Sequence, residues 1–294
     1  MRVRQSLLSY WPFAILFPLT VAFFAYTAYS TLTVKCEQWD LYYPDLPLSL
    51  DGISICQLSD LHLKSLHVSP QVITRIIQSR DPDVIVLTGD LISSPADLDK
   101  IENYLSCLDA VNGLFFVRGN NEYRHLRSRA LSNSFNQQME ESGWTLLKNE
   151  ALYIKNLSLW IIGIDDPYTV RDDVDKAYEI VMNSTVDDRG FRLVIAHSSD
   201  CFDDVLAYGA DLVLTGHTHG GQIRLPGLRP MMTKTHLGRA GIYEGYHVIE
   251  NTPLYINRGL GESLIPFRFY ALPEVAFFTL HRGNEQPKHM TTLK

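Results

Sequence analysis

The sequence lacks the features that define several common protein classes. No two of its four cysteines, Cys36, Cys56, Cys107 and Cys201, stand in a C-x-x-C pair, so the spacing of a zinc ribbon or a thioredoxin-type redox site is absent. Cys56 lies in an apolar run and Cys107 in a helix-like stretch, where a thiol behaves as a small, mostly apolar residue. No long low-complexity segment and no internal repeat interrupts the chain. Cations are outnumbered, 26 Lys and Arg against 33 Asp and Glu for a net charge of -7. With no basic patch, nucleic acid is not expected as a partner. Charge of either sign is missing altogether between Arg4 and Lys35.

That uncharged stretch, roughly Leu7 to Val34, exceeds the ~20 apolar residues that a helix needs to cross a bilayer. Tyr10 and Trp11 lie near one end and Tyr26 and Tyr29 near the other, as in an interfacial aromatic belt. Pro12 and Pro18 would break a soluble helix but are better tolerated in a membrane span. Ala28-Tyr29-Ser30 has the form of a signal-peptidase site, yet a signal peptide's apolar core is only about 7–15 residues long. An uncleaved N-terminal transmembrane helix is therefore expected over residues 1–34. Arg2 and Arg4 precede it, and Lys35 alone follows before Lys64. The positive-inside rule then puts the N-terminus in the cytoplasm and the body on the extracytoplasmic side.

The remaining length, in a chain that is 46% apolar with 15 Tyr and 13 Phe, suffices for a substantial core. Residues 35–50, with Pro44 and Pro47, read as a linker, 51–282 as the main domain and 283–294 as a tail. Ile53–Leu58, Asp83–Thr88 and Leu114–Val117 read as strands. Helical segments separate them, one capped by Ser69 and running to about Arg80, the other from about Pro95 to Leu108. The pattern then loosens. Leu159–Ile164, Phe191–Ala196 and Asp211–Leu214 read as strands, with helix near Asp172–Met182 and Phe202–Tyr208. The last fifty residues are strand-rich, at Tyr246–Glu250, Leu254–Asn257 and Val275–Leu280. βα alternation passing into consecutive strands predicts an α/β fold, a layered αββα sandwich with two mixed sheets.

Five polar clusters follow five of these strands, where α/β folds place their ligands. They are Asp60-Leu61-His62, Gly89-Asp90, Gly119-Asn120-Asn121-Glu122, Ala196-His197 and Gly216-His217-Thr218-His219-Gly220-Gly221-Gln222. Each carries imidazole, carboxylate or amide oxygen able to bind a metal. A lone Asp after a strand is ordinarily a helix cap, and a lone His ordinarily structural. The two pairs Asp60-x-His62 and His217-x-His219 are more specific, because both side chains of a pair can reach one centre from a tight turn.

The ordered set D-x-H, G-D, G-N-x-E, H, G-H-x-H resembles the calcineurin-like metallophosphoesterase superfamily. The form G-H-T-H-G-G-Q and the tail Tyr255-Ile256-Asn257-Arg258-Gly259-Leu260-Gly261, with Pro266, Arg268, Pro273 and Glu274, resemble its bacterial membrane-associated phosphodiesterase branch. The resemblance covers roughly Ile53 to Leu280. It implies two divalent metal ions, Mn, Fe or Zn with Mn foremost. Asp60, His62 and His219 would hold the first, Asn120, His197 and His217 the second, and Asp90 would bridge them. One departure stands out: many members have His after the G-N, and this chain has Asn121, which cannot usefully donate a proton at neutral pH. Either the leaving group needs no strong acid, as with a nucleotide phosphate, or His125 or His67 stands in for the missing imidazole, or the enzyme is slow. Asn121 itself, His125 and Arg258 are the candidate catalytic residues, with Arg258, Arg118 or Arg124 available for phosphate charge.

The expected function is hydrolysis of a phosphodiester or pyrophosphate bond in a phosphate-containing small molecule, lipid or envelope compound, at a membrane. One alternative is a UDP-2,3-diacylglucosamine pyrophosphatase of lipid A synthesis; another is a non-catalytic metal-binding scaffold or sensor. No protein partner can be identified. The segment between Leu225 and Tyr246, with Arg224 just before it and Arg229, Lys234, His236 and Arg239 within it among apolar residues, is either an ordinary loop or a lid.

Overall fold

The computed structural model describes residues 2–185, 190–225, 227–230 and 233–294. Its strands in chain order are β1 (Lys35–Tyr43), β2 (Ser54–Leu58), β3 (Val84–Thr88), β4 (Leu114–Val117), β5 (Trp144–Leu146), β6 (Glu150–Ile154) and β7 (Leu159–Gly163). There follow β8 (Phe191–Ile195), β9 (Leu212–Thr215), β10 (Gly245–Ile249), β11 (Thr252–Ile256), β12 (Glu274–Arg282) and β13 (Lys288–Leu293). One sheet runs β13-β1-β12-β2-β3-β4-β5 and the other β10-β11-β9-β8-β7-β6. Both are mixed. β2 to β5 are parallel while β12 meets β2 antiparallel. β7, β8, β9 and β11 are parallel while β6 and β10 run antiparallel at the edges.

The strands read as near-continuous apolar runs because both of their faces are covered. In β3, Val84 and Val86 point between the sheets, against Ile161, Leu193 and Leu214 of the opposite sheet. Ile85 and Leu87 point the other way, into a core with Ile73, Ile76 and Ile77 of α2 (Pro70–Gln78), Leu105 of α3 (Ile101–Leu105) and Phe135 of α5 (Arg129–Glu141), beyond the short helix α4 (Asn120–His125). On the far side, Val194 and Val213 pack against Tyr178 of α6 (Val174–Met182) and Phe202 of α7 (Phe202–Tyr208). Helix, sheet, sheet and helix give the four layers expected. Near one edge of the sandwich a polar contact joins the sheets: Gln57 of β2, fully buried, donates to the Thr215 carbonyl of β9 at 2.9 Å and to the Thr88 hydroxyl at 3.0 Å.

Two segments differ from the sequence reading. The stretch read as a linker contains β1, which pairs along its whole length with β12, and the stretch read as a tail contains β13, which pairs with β1. Charge hid them. Glu37 stands in the middle of β1 yet is only 3% exposed, because Arg258 and Thr291 satisfy its carboxylate. The helix expected over Pro95–Leu108 is a 3₁₀ turn, Pro95–Lys100, passing into the short α3.

Ahead of β1 stands α1 (Arg2–Leu32). Among the described residues it is the one helix long and apolar enough to cross a membrane, over Ala14–Leu32. Its outer part is exposed, Phe17 at 73% and Phe24 at 62%. Its last turns are docked. Ser30, with no exposed surface, donates to the Arg268 carbonyl at 2.7 Å, and the Arg268 amide donates to the Thr31 hydroxyl at 3.1 Å. Phe23 and Tyr26 pack their rings on Phe269 at centroid distances of 5.4 and 5.1 Å.

Leaving a buried acceptor unsatisfied costs about 1–3 kcal/mol. Ser30→Ala in the full chain should therefore lower the unfolding midpoint in detergent by a corresponding amount. An unchanged midpoint would show that the helix end is not held by this contact.

Candidate metal centre

The polar clusters sit at the carboxyl ends of β2, β3, β4, β8 and β9, all parallel strands of the two sheets. Facing sheets bring these ends together at one edge. The loops continue the strand pairing beyond the strands themselves: the Asp60 amide donates to the Gly89 carbonyl at 3.0 Å and the His62 amide to the Asp90 carbonyl at 3.0 Å. Only then does the backbone turn. Asp60, His62, Asp90, His217 and His219 have φ of 48, 44, 52, 71 and 52°. Left-handed backbone is uncommon outside glycine, and such residues cluster where function fixes them. It swings each side chain off the strand direction and inward. The approach is close enough to demand glycine beside it. A Cβ on Gly216 would fall on the Ser59 hydroxyl and the Asp60 carboxylate.

Two donor groups result. In the first, His219 Nε2 lies 3.4 Å from Asp60 Oδ1 and 3.2 Å from His62 Nε2. In the second, His197 Nε2 lies 2.9 Å from His217 Nδ1 and 3.1 Å from Asn120 Oδ1. Between them, Asp90 Oδ2 is 3.5 Å from His62 Nε2 and 3.5 Å from His197 Nε2. The histidines and aspartates are all at most 2% exposed.

The chemistry of these donors suits cations. Asp60 Oδ2 receives the Ser59 hydroxyl and the His217 amide, but Asp60 Oδ1, fully buried, has no hydrogen-bond partner. Such an orphan is costly, and this one faces the imidazoles of His62 and His219. Burial, then the nearby imidazoles, hold His217 and His219 well below the usual histidine range. Burial also lowers His62. Neutral rings keep a lone pair for a metal. His197 behaves oppositely: burial disfavours its charge, but the Asp90 carboxylate outweighs burial and raises it well above the ordinary value. Burial likewise opposes the charge on Asp90, and His197 reverses the balance and holds it well below the usual carboxylate range. Mixed imidazole and oxygen donors fit Mn, Fe or Zn better than Ca.

A supporting layer orients the donors, as outer-shell partners do. His62 Nδ1 is 2.8 Å from the Ser93 hydroxyl, and His197 Nδ1 is 2.9 Å from the Thr88 carbonyl. Glu122 accepts the amides of Asp90, Ile92 and Gly119 at 3.0, 3.1 and 2.7 Å. Burial and then the Asp90 charge push its carboxyl up to about 7. The glutamate three residues after Gly119 is the signal of a capping box, and here the same carboxylate also fixes the Asp90 loop. Tyr168 lies with its ring 4.4 Å from that of His217, and nothing in the sequence around it marks that role.

The expected catalytic residues separate. The Asn121 backbone amide donates to Asp90 Oδ1 at 2.8 Å and its side-chain amide to Asp90 Oδ2. Asn121 thus attends to the central carboxylate. His125 and Arg124 line a cleft of about 430 Å³ that reaches His62 and Asn121 and is also lined by Lys64 and His67. Burial, then Arg124, lowers His125, which favours its neutral form. Arg258 does not join them. It is 8% exposed and ion-paired to Glu37, Glu274 and Glu244, so its guanidinium is already engaged by carboxylates. Arg118 is likewise turned to Ser132 and Asn136. In the suggested lid, Met231 and Met232 lie outside the described residues. Its other half is pinned where His236 meets Asp200 at 3.1 Å, and the charge of Lys234 adds to the depression of His62, His217 and His219.

Asp90→Ala should lower the metal retained by both donor groups together, measured as metal per chain after dialysis. Full retention of two metals would sink the shared carboxylate. Gly216→Ala should lower retention through the first group, by displacing Asp60.

Comparison with known proteins agrees with this geometry. A model of the calcineurin-like phosphoesterase family matches residues 53–221, which holds every one of these donors. The metallophosphoesterase YkoQ of Bacillus subtilis is 30% identical over 90% of this chain and 98% of its own length. YkuE of the same organism is 32% identical over 81% of this chain and 82% of its own. The UDP-2,3-diacylglucosamine pyrophosphatase LpxG of Chlamydia muridarum is 27% identical over 82% of this chain and 88% of its own. Matched across more than half its length, with its donors at the strand ends in the family's order, the chain belongs to the calcineurin-like phosphoesterases.

Proposed function

We propose that this chain is a membrane-anchored two-metal phosphoesterase that hydrolyses a phosphodiester or pyrophosphate bond in a lipid or envelope substrate. Asp60, His62 and His219 hold one divalent ion, Asn120, His197 and His217 the other, and Asp90 serves both; Mn is the foremost candidate. The observation that carries this reading is the position of Asp90 Oδ2, 3.5 Å from an imidazole of each group. Bound divalent ions supply Lewis acidity, neutralising phosphate oxygens and activating a water.

The chain's own residues do the rest. Asn121 keeps the Asp90 carboxylate oriented and can hydrogen-bond phosphate, but offers no proton. His125 and His67 stand in the cleft as the imidazoles that could attend the leaving oxygen. Lys64 and Arg124 supply positive charge at its mouth, where an anionic substrate is drawn in. A catalytic domain on the extracytoplasmic side follows from the charges flanking α1.

The relative named as a pyrophosphatase favours a second reading, cleavage of a nucleotide-type diphosphate, whose leaving phosphate needs little protonation. This would explain a tolerated Asn121.

The full chain in detergent with Mn²⁺ should hydrolyse bis-p-nitrophenyl phosphate, and chelation should abolish this. Two metals per chain without turnover of any diester would favour the scaffold reading instead. Asn121→His separates the two substrates. General acid catalysis contributes about 10²–10⁴-fold where a leaving group needs it. The swap should therefore accelerate an alkyl phosphodiester most and leave a UDP-linked lipid unchanged or slower. A large gain on the UDP-linked lipid would rule out its leaving group as the reason for asparagine.

A further inference from the structure

Metal chemistry does not use Gln222, the last residue of the Gly216–Gln222 run. Gln222, fully buried and itself left-handed at φ 48°, points away from the donors. Its side chain grips a turn in the last quarter of the chain: Nε2 donates to the carbonyls of Ile265 and Phe267 at 2.6 and 3.2 Å, and Oε1 accepts the Ser263 amide at 2.9 Å. The turn held in this way presents two adjacent apolar side chains. Leu264 is 81% exposed with φ of 62°, and Ile265 beside it is 37% exposed. A bulky left-handed residue is an outlier. Here it is held by a buried glutamine and faces solvent, so no packing of the domain accounts for it.

Position gives the turn a meaning. Leu264, Ile265 and Pro266 line the same cleft as His62, Asn121, Lys64, Arg124 and His125. In the other direction the segment runs straight into Phe267, Phe269 and Tyr270, whose rings meet Phe23 and Tyr26 of α1. The apolar surface is thus continuous from the exposed flank of the candidate span to the mouth of the metal site. Interfacial elements of this kind sit about 5–10 Å into the boundary between headgroups and acyl chains.

We propose that the Ser263–Pro266 turn is a bilayer-contacting surface. Leu264 and Ile265 enter the interface of the membrane that α1 spans, and the cleft takes its substrate sideways from the bilayer, acyl portion along the apolar wall and phosphate toward Lys64 and Arg124. The class of substrate is a lipid carrying a phosphodiester or pyrophosphate. This rests on the reading of α1 as a membrane anchor and of the centre as a phosphoesterase.

The test uses the full chain reconstituted in phosphatidylcholine vesicles with lipids brominated near the headgroup end of the acyl chains. Leu264→Trp should add an emission that is blue-shifted and strongly quenched by the brominated lipid, beyond the quenching of the unaltered chain. Val111→Trp is the control. Val111 is 84% exposed in the loop that enters β4, at the opposite end of the strands from the donors, and its emission should stay unshifted and unquenched. Emission at position 264 that is unshifted, or shifted without quenching as in contact with a second copy of the chain, overturns the proposal. Hydrolysis of bis-p-nitrophenyl phosphate by the same vesicles keeps the two readings apart. Quenching without turnover would leave the surface standing and remove the enzyme; turnover without quenching would do the reverse.

Discussion

A carboxylate at 2% exposure pays heavily for its charge unless its surroundings are arranged for it, and much of this fold is arranged for Asp90. The His197 imidazole, presented by the opposite sheet, stands 3.5 Å from it. Asn121 donates to both of its oxygens from the α4 turn, and Glu122 holds its amide from the same turn. These contacts draw on β3, β4 and β8, so the carboxylate can exist where it does only if both sheets present their strand ends at one edge. The Gln57 contacts to Thr88 and Thr215 keep those edges together just beneath. Remove the demand for a buried central carboxylate and neither the polar seam between two apolar cores nor the second carboxylate behind it has a reason to be there.

Much of this was legible from residues alone, and the reasons it was legible are physical. β3, β8 and β9 are covered on both faces, so their apolar runs are nearly continuous, broken in β8 by Arg192 alone, and their ends fall where the turn glycines and the polar donors begin. The spacing D-x-H and H-x-H survives in the sequence because both side chains leave one tight turn. The five left-handed donor positions are not legible, since the tolerance of aspartate and histidine for positive φ does not mark which of them the surrounding loops force into it. Nor is the β1–β12–β13 portion. Its register is set by residues more than two hundred positions apart, and its buried Glu37 reads as surface until Arg258 is placed beside it. The same pairing explains why Arg258 resembled a phosphate ligand in sequence. An arginine close to a metal motif carries no mark of the carboxylates that already hold it.

Arg268 shows how α1 and the centre share one support. Fully buried, it donates to the carbonyls of Ala271, Arg258, Gly259 and Gly261, while its own backbone is bonded to Ser30 and Thr31 of α1. Gly261 in turn donates to the Asp60 carbonyl at 2.8 Å. Guanidinium groups suit such a role because five donors fan out in one plane. The end of α1 is therefore part of the wall behind the first donor group, and the helix joins the body at a fixed angle instead of through a slack tether.

The left-handed turns carry a consequence for how such a chain varies over generations. At Asp60, His62, Asp90, His217 and His219 the backbone sits where glycine would be at ease, and strained positions of this kind cost about 1–3 kcal/mol each. Drift toward glycine at any of them would relax the chain while discarding a donor. Stability and metal chemistry thus pull these codons in opposite directions. Aspartate and histidine at these positions are accounted for by the donor atoms they supply, not by the backbone conformation they adopt.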